Sequence, residues 1–169
     1  MASETHFDPF ERFAETERLV SKVYFRFSHL FLHHPELRDF WWDMAMQEEQ
    51  HASVLLACKA VIENFSDEAV DPSPSISQEK ADQLQAKINA YLSKGTPSIT
   101  VEEAFKVALE IESSEIDVIY SKLLQLGGPK IAKTMENLGI PASVQRQKLK
   151  SALQRFCQNP DLLRAAERL

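Results

Sequence analysis

Three segments of the chain carry apolar residues spaced alternately three and four positions apart, the pattern of an α-helix that buries one face. Near the middle of each segment, carboxylates interrupt this apolar stripe. The interruptions are Glu17 in the first stripe, Glu48 with His51 in the second, and Glu112 with Glu115 in the third. The stripes otherwise consist of Phe10, Phe13, Val20, Tyr24, Phe27 and Phe31, then Leu37, Trp41, Met44, Leu55, Cys58 and Ile62, then Val101, Phe105, Ala108, Ile119, Leu123 and Leu126. Helices that bury such stripes together form a bundle with polar side chains inside its core.

Proline and capping residues predict where the first two helices begin. Asp8-Pro9 joins an N-cap to a proline at the first helical position, and predicts a helix from there to about His33. Pro35 cannot continue that helix but suits the start of the next one, which is predicted to reach about Asn64.

A long connection separates the second helix from the third. Residues 66–77 are rich in Ser, Pro and Asp and predict a loop, and a shorter polar helix is predicted over about 78–93. Thr100 and Glu103 then form a capping box for a long third helix that is predicted to end near Gly127-Gly128.

The last forty residues predict shorter helices. Pro129 opens a helix that Gly139 closes, Pro141 opens another, and Asn159-Pro160 begins a final short one. The chain contains no strand-like alternation bounded by turns and no internal repeat.

Together these segments predict an all-α protein with a single domain over residues 1–169 and a core bundle at about 9–157. A bundle whose second and third long helices are joined by one long crossover is of the ferritin-like type. We therefore expect a ferritin-like four-helix bundle, with a short helix inside the crossover and an irregular helical segment at the C-terminus.

Charge and composition narrow the classes of partner. The formal net charge is −6, which disfavours a nucleic-acid partner, and no apolar run approaches the roughly 18 residues of a membrane span. Cys58 and Cys157 form no CxxC pair, so reduced buried thiols are expected. The N-terminal residues lack the apolar stretch of a secretion signal, and we expect a cytoplasmic protein.

The carboxylates in the stripes point to a metal. A bare carboxylate in a bundle core costs several kcal/mol unless it is paired, protonated or bound to a cation. Each interruption falls near the middle of its helix, so in an antiparallel bundle all three can meet at one level. Glu48 and His51 stand three positions apart and share one helical face. Carboxylates with an imidazole suit iron, with manganese as the alternative.

The same residues resemble the rubrerythrin-type, ferritin-like di-iron proteins. In that family a first-helix glutamate is followed seven positions later by a tyrosine, as Glu17 and Tyr24 are here. The second helix carries Glu-x-x-His, matched by Glu48 and His51, and the third carries an ALExE segment, matched by residues 108–112.

The resemblance implies a role for each matched residue. Glu17 is implied as a terminal ligand, Glu48 as a bridging ligand, and His51 as the imidazole of the first iron. Glu112 is implied as the third-helix ligand, and Glu115 as a nearby glutamate that some members use when the metal changes oxidation state. The family's activities imply iron handling or an oxidative-stress response, as an iron-dependent oxidase or peroxidase if the site is active, in a homodimer or larger homo-oligomer.

The chain departs from the family at the fourth helix, which lacks the second Glu-x-x-His. The family's spacing leads instead to residues 145–148, which would put Gln145 and Lys148 at the second ligand pair. Lys148 could replace the charge of a metal, or Glu115 could complete a site for one ion, so the expected content is one or two ions per chain, or none. The family's CxxC electron-relay domain is missing as well, so an enzyme of this kind would need an external electron donor. The alternative to a metal protein is a metal-free ferritin-like scaffold that binds a protein partner.

Overall fold

The computed structural model describes residues 6–65, 76–94 and 98–169. These residues form helices and connections, with no strand among them. The helices are α1 (Pro9–Leu30), α2 (Pro35–Phe65), α3 (Gln78–Ser93), α4 (Val101–Glu112), α5 (Ile116–Gln125), α6 (Pro129–Leu138), α7 (Ala142–Phe156) and α8 (Pro160–Ala166). Within these residues no helix combines the length and the apolar character needed to cross a membrane.

Helices α1 and α2 form an antiparallel pair. The Ser21 hydroxyl donates to the carbonyl of Ala45, and the Ser28 hydroxyl donates to the carbonyl of Arg38, so residue numbers rise along one helix as they fall along the other. Asp8 at the start of α1 caps that helix by accepting a hydrogen bond from the Glu11 amide, as the sequence predicts. This pair carries the first two stripes into the core.

The next helices run in directions that the side-chain contacts define. Arg12 pairs with Asp82 and Arg26 donates to the carbonyl of Leu92, so the crossover helix α3 runs parallel to α1. The Phe105 ring of α4 packs against Trp41, and the Tyr120 ring of α5 lies 4.7 Å from His51, centroid to centroid. Helices α4 and α5 therefore run parallel to α2.

The fourth position of the bundle is occupied by α6 and α7 in succession. Gln50 donates to the carbonyl of Leu138 at the end of α6, Lys148 of α7 pairs with Asp43, and Arg155 pairs with Glu36. Both helices therefore run antiparallel to α2. Around the core, α1 and α2 face α4–α5 and α6–α7.

Most predicted helix boundaries are confirmed to within three residues. The capping box of Thr100 and Glu103 is present, α6 begins at Pro129 and ends before Gly139, and α3 covers residues 78–93. The predicted loop over 66–77 lies largely outside the described residues, of which only Ile76 and Ser77 belong to it.

The prediction of one continuous third helix is wrong. The helix ends at Glu112 and a new one begins at Ile116, with residues 113–115 between them. The Ser114 hydroxyl donates to the carbonyl of Ile111 at 2.5 Å and so replaces a main-chain bond of a continuing helix. The break changes the direction of the residues next to it, whereas Ile119 and Leu123 further along the segment remain buried as the stripe predicts.

Candidate metal centre

Three side chains from the first two predicted stripes meet in the core. Glu17 of α1 and Glu48 and His51 of α2 are each at most 3% exposed, and one potential ligand atom from each lies within 4.8 Å of the other two. Ligand atoms around a single ion lie at most about 4.2 Å apart when each metal–ligand distance is about 2.1 Å. A small side-chain shift would therefore bring all three onto one cation.

The His51 ring is held with a defined orientation. Its Nε2 atom lies 3.1 Å from the carbonyl oxygen of Ile140, which can only accept, so Nε2 carries the proton and donates. Its Nδ1 atom lies 3.3 Å from Oε2 of Glu48. A neutral ring in this orientation aims the Nδ1 lone pair at a carboxylate. A proton or a metal ion must then lie between the two atoms, and metal-binding histidines are oriented by the same kind of Nε2 hydrogen bond.

Gln145 joins the cluster from the fourth position of the bundle. Its side chain is fully buried, and its Nε2 atom donates to Oε1 of Glu48, while Oε1 of Gln145 has no partner among the described residues. Oε1 of Glu17 is likewise buried without a partner there. The cluster thus contains two buried acceptor oxygens that no donor satisfies.

Glu112 enters the cluster from the end of α4. It is 4% exposed and accepts a hydrogen bond of 2.6 Å from the Tyr24 hydroxyl, which is itself fully buried. The predicted inward position of Glu112 is confirmed. Tyr24 lies two helical turns after Glu17 on the same face of α1, and its hydroxyl group therefore reaches the carboxyl group of Glu112 in α4.

Asp117 is a member of the cluster that the sequence pattern did not predict. It lies in the first turn of α5, is 8% exposed, and accepts a hydrogen bond of 3.2 Å from Arg146 of α7. The break at residues 113–115 turns Asp117 inward, whereas an uninterrupted helix would give that position to Glu115. The pair Ser113-Ser114, both poor helix formers, is the signal in the sequence that could have revealed it.

Glu115, predicted as a ligand, lies outside the cluster. Its side chain is 60% exposed and pairs with Lys80 of α3 at 3.0 Å. The reason is the same break, because Glu115 occupies the N-cap of α5 instead of the inner face of a continuous helix.

Lys148 is also placed differently from the sequence hypothesis. Its ammonium pairs with Asp43 at 3.0 Å on the outer side of α2, so it does not replace a metal charge inside the core. Arg146 is the cation of α7 that reaches the cluster, through Asp117.

The cluster contains more acidic groups than basic ones. Four carboxyl groups share the space with His51 and Arg146, and the gap lined by Glu17, Glu48, Glu112 and Asp117 leaves no room for a water molecule.

Comparisons of the chain with family models, curated proteins and solved structures gave no match.

Burial and mutual repulsion set the protonation of the acids. Burial, followed by the charge of Glu48, raises the pKa of Glu17 and of Glu112 well above the usual range for a glutamate. Burial, again with the charge of Glu48, raises the pKa of Asp117 to about 6. Without a cation, these groups therefore hold protons at pH values where an exposed carboxyl group is ionised.

Glu48 and His51 form the ionised pair of the cluster. Burial alone would raise the pKa of Glu48, but the hydrogen bond and the charge of His51 outweigh it and lower that pKa. Burial alone would lower the pKa of His51, but the bond to Glu48 outweighs it and raises that pKa. The positive charge that Glu48 needs is thus supplied by a proton on Nδ1, at the position where a metal would bind.

The donor set fits a hard or borderline divalent cation. Glu17, Glu48 and His51 offer two carboxylates and one imidazole with their ligand atoms close together, and Glu112 adds a carboxyl group that lines the same gap. Carboxylate and imidazole donors without thiolate match the preferences of Fe(II) and Mn(II). Within the described residues, Glu17, Glu48 and His51 are the acidic and histidine side chains whose ligand atoms lie close enough together to hold an ion.

Proposed function

We propose that the protein is an iron-binding protein of ferritin-like architecture, with a single metal centre built on Glu17, Glu48 and His51 and functioning in iron handling or the oxidative-stress response. Glu112 completes the centre from α4, and manganese is the alternative ion. When bound, such an ion would supply redox or Lewis-acid chemistry. The protein's own residues hold the ion, exclude water from it and keep a proton on Nε2 of His51.

The observation that carries this proposal is the orientation of His51. The donation from Nε2 to Ile140 leaves Nδ1 facing Glu48, and a carboxylate oxygen of Glu17 lies within 4.8 Å of the same group. Three electron-pair donors converging on one point are costly in a core unless protons or a cation join them, and a single cation can replace those protons.

The direction of the helices supports the ferritin-like assignment. Helices α1 and α2 are antiparallel, α4–α5 run parallel to α2, and α6–α7 run antiparallel to it, with α3 in the long crossover. One long crossover between the second and third positions is the arrangement of ferritin-like bundles.

The side chains at the fourth position of the bundle, in α6 and α7, favour one bound ion per chain over two. A di-iron centre takes a second Glu-x-x-His from this helix, whereas here Gln145 reaches the cluster and Lys148 does not. A neutral amide and an arginine bound to Asp117 supply no second imidazole and no further carboxylate. We therefore expect about one ion per chain.

The test is the metal content of protein purified without a metal-affinity tag, measured by elemental mass spectrometry before and after anaerobic addition of Fe(II). We expect about one iron per chain in the wild type and almost none in His51→Ala, because the substitution removes the only nitrogen donor of the cluster. Circular dichroism of His51→Ala checks that the helices remain. His33→Ala is the matched control, since His33 is an exposed histidine outside the cluster.

Two results would contradict the proposal. Wild-type protein that takes up no metal under either condition would leave a carboxylate cluster neutralised by protons. Two ions per chain would mean that α6–α7 or a neighbouring subunit supplies ligands, and would restore a di-iron centre.

A metal-free scaffold that binds a protein partner is the second candidate, and one surface feature favours it. Trp42 is 49% exposed and stacks edge-on against Phe25 at 4.9 Å, with the 46% exposed Met46 one turn further along α2. Large apolar side chains grouped on a surface are typical of interaction sites. If this candidate is correct, apolar replacements of Glu17, Glu48 and His51 together raise the free energy of unfolding, because they remove a buried-charge cost.

A further inference from the structure

A surface cavity of about 640 Å³ lies on the outer side of α2, next to the buried centre. It is lined by one face of α2 that includes Asp43, Gln47 and Gln50, and on the other side by Ile140 and Lys148. Each of these three α2 residues directly precedes a residue of the core stripe, which here consists of Met44, Glu48 and His51. Residues that line the cavity and residues that form the centre therefore alternate along the same helix.

Gln47 and Ile140 lie next to both the cavity and the centre. Gln47 lines the cavity and directly precedes Glu48, and Ile140 lines it while its carbonyl oxygen accepts the hydrogen bond from His51. The segment at Ile140 is held over the centre by one more bond, from Gln50 to the carbonyl of Leu138. It lies between α6 and α7, where main-chain helix bonds do not fix it.

The cavity holds oxygen donors that suit a cation. Asp43 and Glu49 contribute carboxylates that are 59% and 40% exposed. Behind them, Gln47 is 93% buried, and its amide oxygen, which is shielded from the solvent in the cavity, has no hydrogen-bond partner among the described residues. A buried amide oxygen without a donor beside two carboxylates is the donor chemistry that divalent cations prefer.

Two cations limit the charge of this cavity. Lys148 pairs with Asp43 at 3.0 Å, and Arg18 approaches Glu49 at 3.9 Å from the other side. Both contacts are at the surface, where such pairs contribute little and exchange readily with solvent. A divalent cation can therefore compete with the ammonium of Lys148 for Asp43.

We propose that this cavity is the access site through which a divalent cation reaches the buried centre, with Asp43 and Glu49 as its first ligands and the amide oxygen of Gln47 as the next. This inference rests on the proposed metal centre. The cation displaces Lys148 from Asp43, passes Gln47, and enters as the segment at Ile140 moves aside. Carboxylates at the mouth of a cleft raise the local cation concentration and the rate of association.

The test is the rate of Co(II) uptake by the metal-free protein, followed by stopped-flow absorbance at low ionic strength. We expect the double variant Asp43→Asn/Glu49→Gln to bind Co(II) about tenfold more slowly than the wild type, with an unchanged final amount, because it removes steering charge without touching the centre. Lys148→Gln should bind several-fold faster. Both differences should shrink at high salt, since the charges are exposed.

Matched controls use charges of the same kind elsewhere on the surface. Glu36→Gln/Asp82→Asn also removes two exposed carboxylates that pair with basic residues, and Arg155→Gln removes an exposed cation from such a pair. Neither control should change the rate by more than about twofold, as expected from net charge alone.

The outcomes separate the two proposals. If the wild type takes up Co(II) and the Asp43/Glu49 variant does so at the control rate, the access site is wrong and the metal centre stands. A Lys148→Gln variant slower than the wild type would also overturn the access site. If the wild type takes up no Co(II) at equilibrium, the metal centre itself is wrong, and the access site is wrong with it.

Discussion

The Nδ1 atom of His51 lies 3.3 Å from Oε2 of Glu48, and both side chains are buried in the middle of the bundle. The other ring nitrogen of His51 is engaged by a main-chain carbonyl, so the ring cannot turn away from Glu48 without losing a hydrogen bond. Glu48 is in turn contacted by Gln145 and lies beside Glu17. This pair is the point at which a proton and a metal ion compete for the same position.

That competition predicts an unusual pH dependence of the metal-free protein. The raised pKa values of Glu17, Glu112, Asp117 and His51 contribute stability that is fully present below the unfolded pKa of each group and is lost as the pH rises through the folded pKa. Asp117 alone, with its pKa raised to about 6, accounts for roughly 3 kcal/mol lost between pH 4 and pH 7. We expect the free energy of unfolding in urea to fall from pH 5 to pH 8.

At low pH the free energy of unfolding changes in the opposite direction, and Glu48 is the residue responsible. The pKa of Glu48 is lowered, because the bond to His51 outweighs burial, so its contribution disappears as the pH falls below the usual range of a glutamate. The double variant Glu17→Gln/Glu112→Gln should flatten the loss between pH 5 and pH 8. A wild-type protein whose stability rises over that range in the absence of metal would contradict the described protonation.

The Tyr24–Glu112 hydrogen bond should contribute measurably to stability. Tyr24→Phe removes the donor and leaves a buried carboxyl oxygen unsatisfied, at an expected cost of about 1–3 kcal/mol in the free energy of unfolding. Tyr91→Phe is the matched control, because Tyr91 also donates to a glutamate, Glu110, but in a half-buried position where water can replace it. Equal costs for the two variants in chemical denaturation would show that burial of the Tyr24 bond has no effect.

Replacing Gln145 with glutamate, which has the same shape but carries a charge, should destabilise the protein. Gln145→Glu replaces the amide that donates to Glu48 with another carboxylate, so we expect the metal-free protein at pH 8 to lose about 2–4 kcal/mol of stability. Added Mn(II) should recover much of that loss, because a cation offsets the new charge. Gln154→Glu is the control, since Gln154 is an exposed residue of the same helix. A Gln145→Glu protein as stable as this control in thermal unfolding would contradict the placement of Gln145.

The two third-helix glutamates should behave differently toward metal. Glu112→Gln should lower the affinity for Mn(II), measured by titration calorimetry, by about tenfold or more, because it weakens a buried ligand. Glu115→Gln should leave the affinity within about twofold, because Glu115 pairs with Lys80 at the surface, where such pairs contribute little. The reverse order would mean that α4 and α5 form one continuous helix in solution.

Local signals in the sequence were enough to predict most of the helices. The helix starts at Pro9, Pro35, Pro129 and Pro160 follow from backbone chemistry that depends on the proline alone. The inward positions of Glu17, Glu48, His51 and Glu112 follow from the helical period, because each lies on an uninterrupted stretch from a predicted start.

The remaining members of the cluster depend on register across a break. Asp117, and not Glu115, faces the cluster because α4 ends at Glu112. A spacing rule that assumes a continuous helix cannot predict where that helix ends. Gln145 follows the connection between α6 and α7, so its direction is set by how α7 packs on α2, a contact between residues 97 positions apart. Helical periodicity carries no information about such a contact, and only the spacing of the resembled family led to Gln145, together with Lys148, which lies at the surface instead.

The two interruptions, at residues 113–115 and 139–141, lie on the same half of the bundle and at the same height as the cluster. On the opposite half, α1 and α2 pass this height as continuous helices. At the two interruptions, Glu112 is bonded to Tyr24 of α1, Gln145 to Glu48 of α2, and Asp117 to Arg146 of α7. The side chains that carry the charge of the cluster are therefore also the ones that fasten the interrupted half to the continuous half, so loading or emptying the centre acts on that attachment.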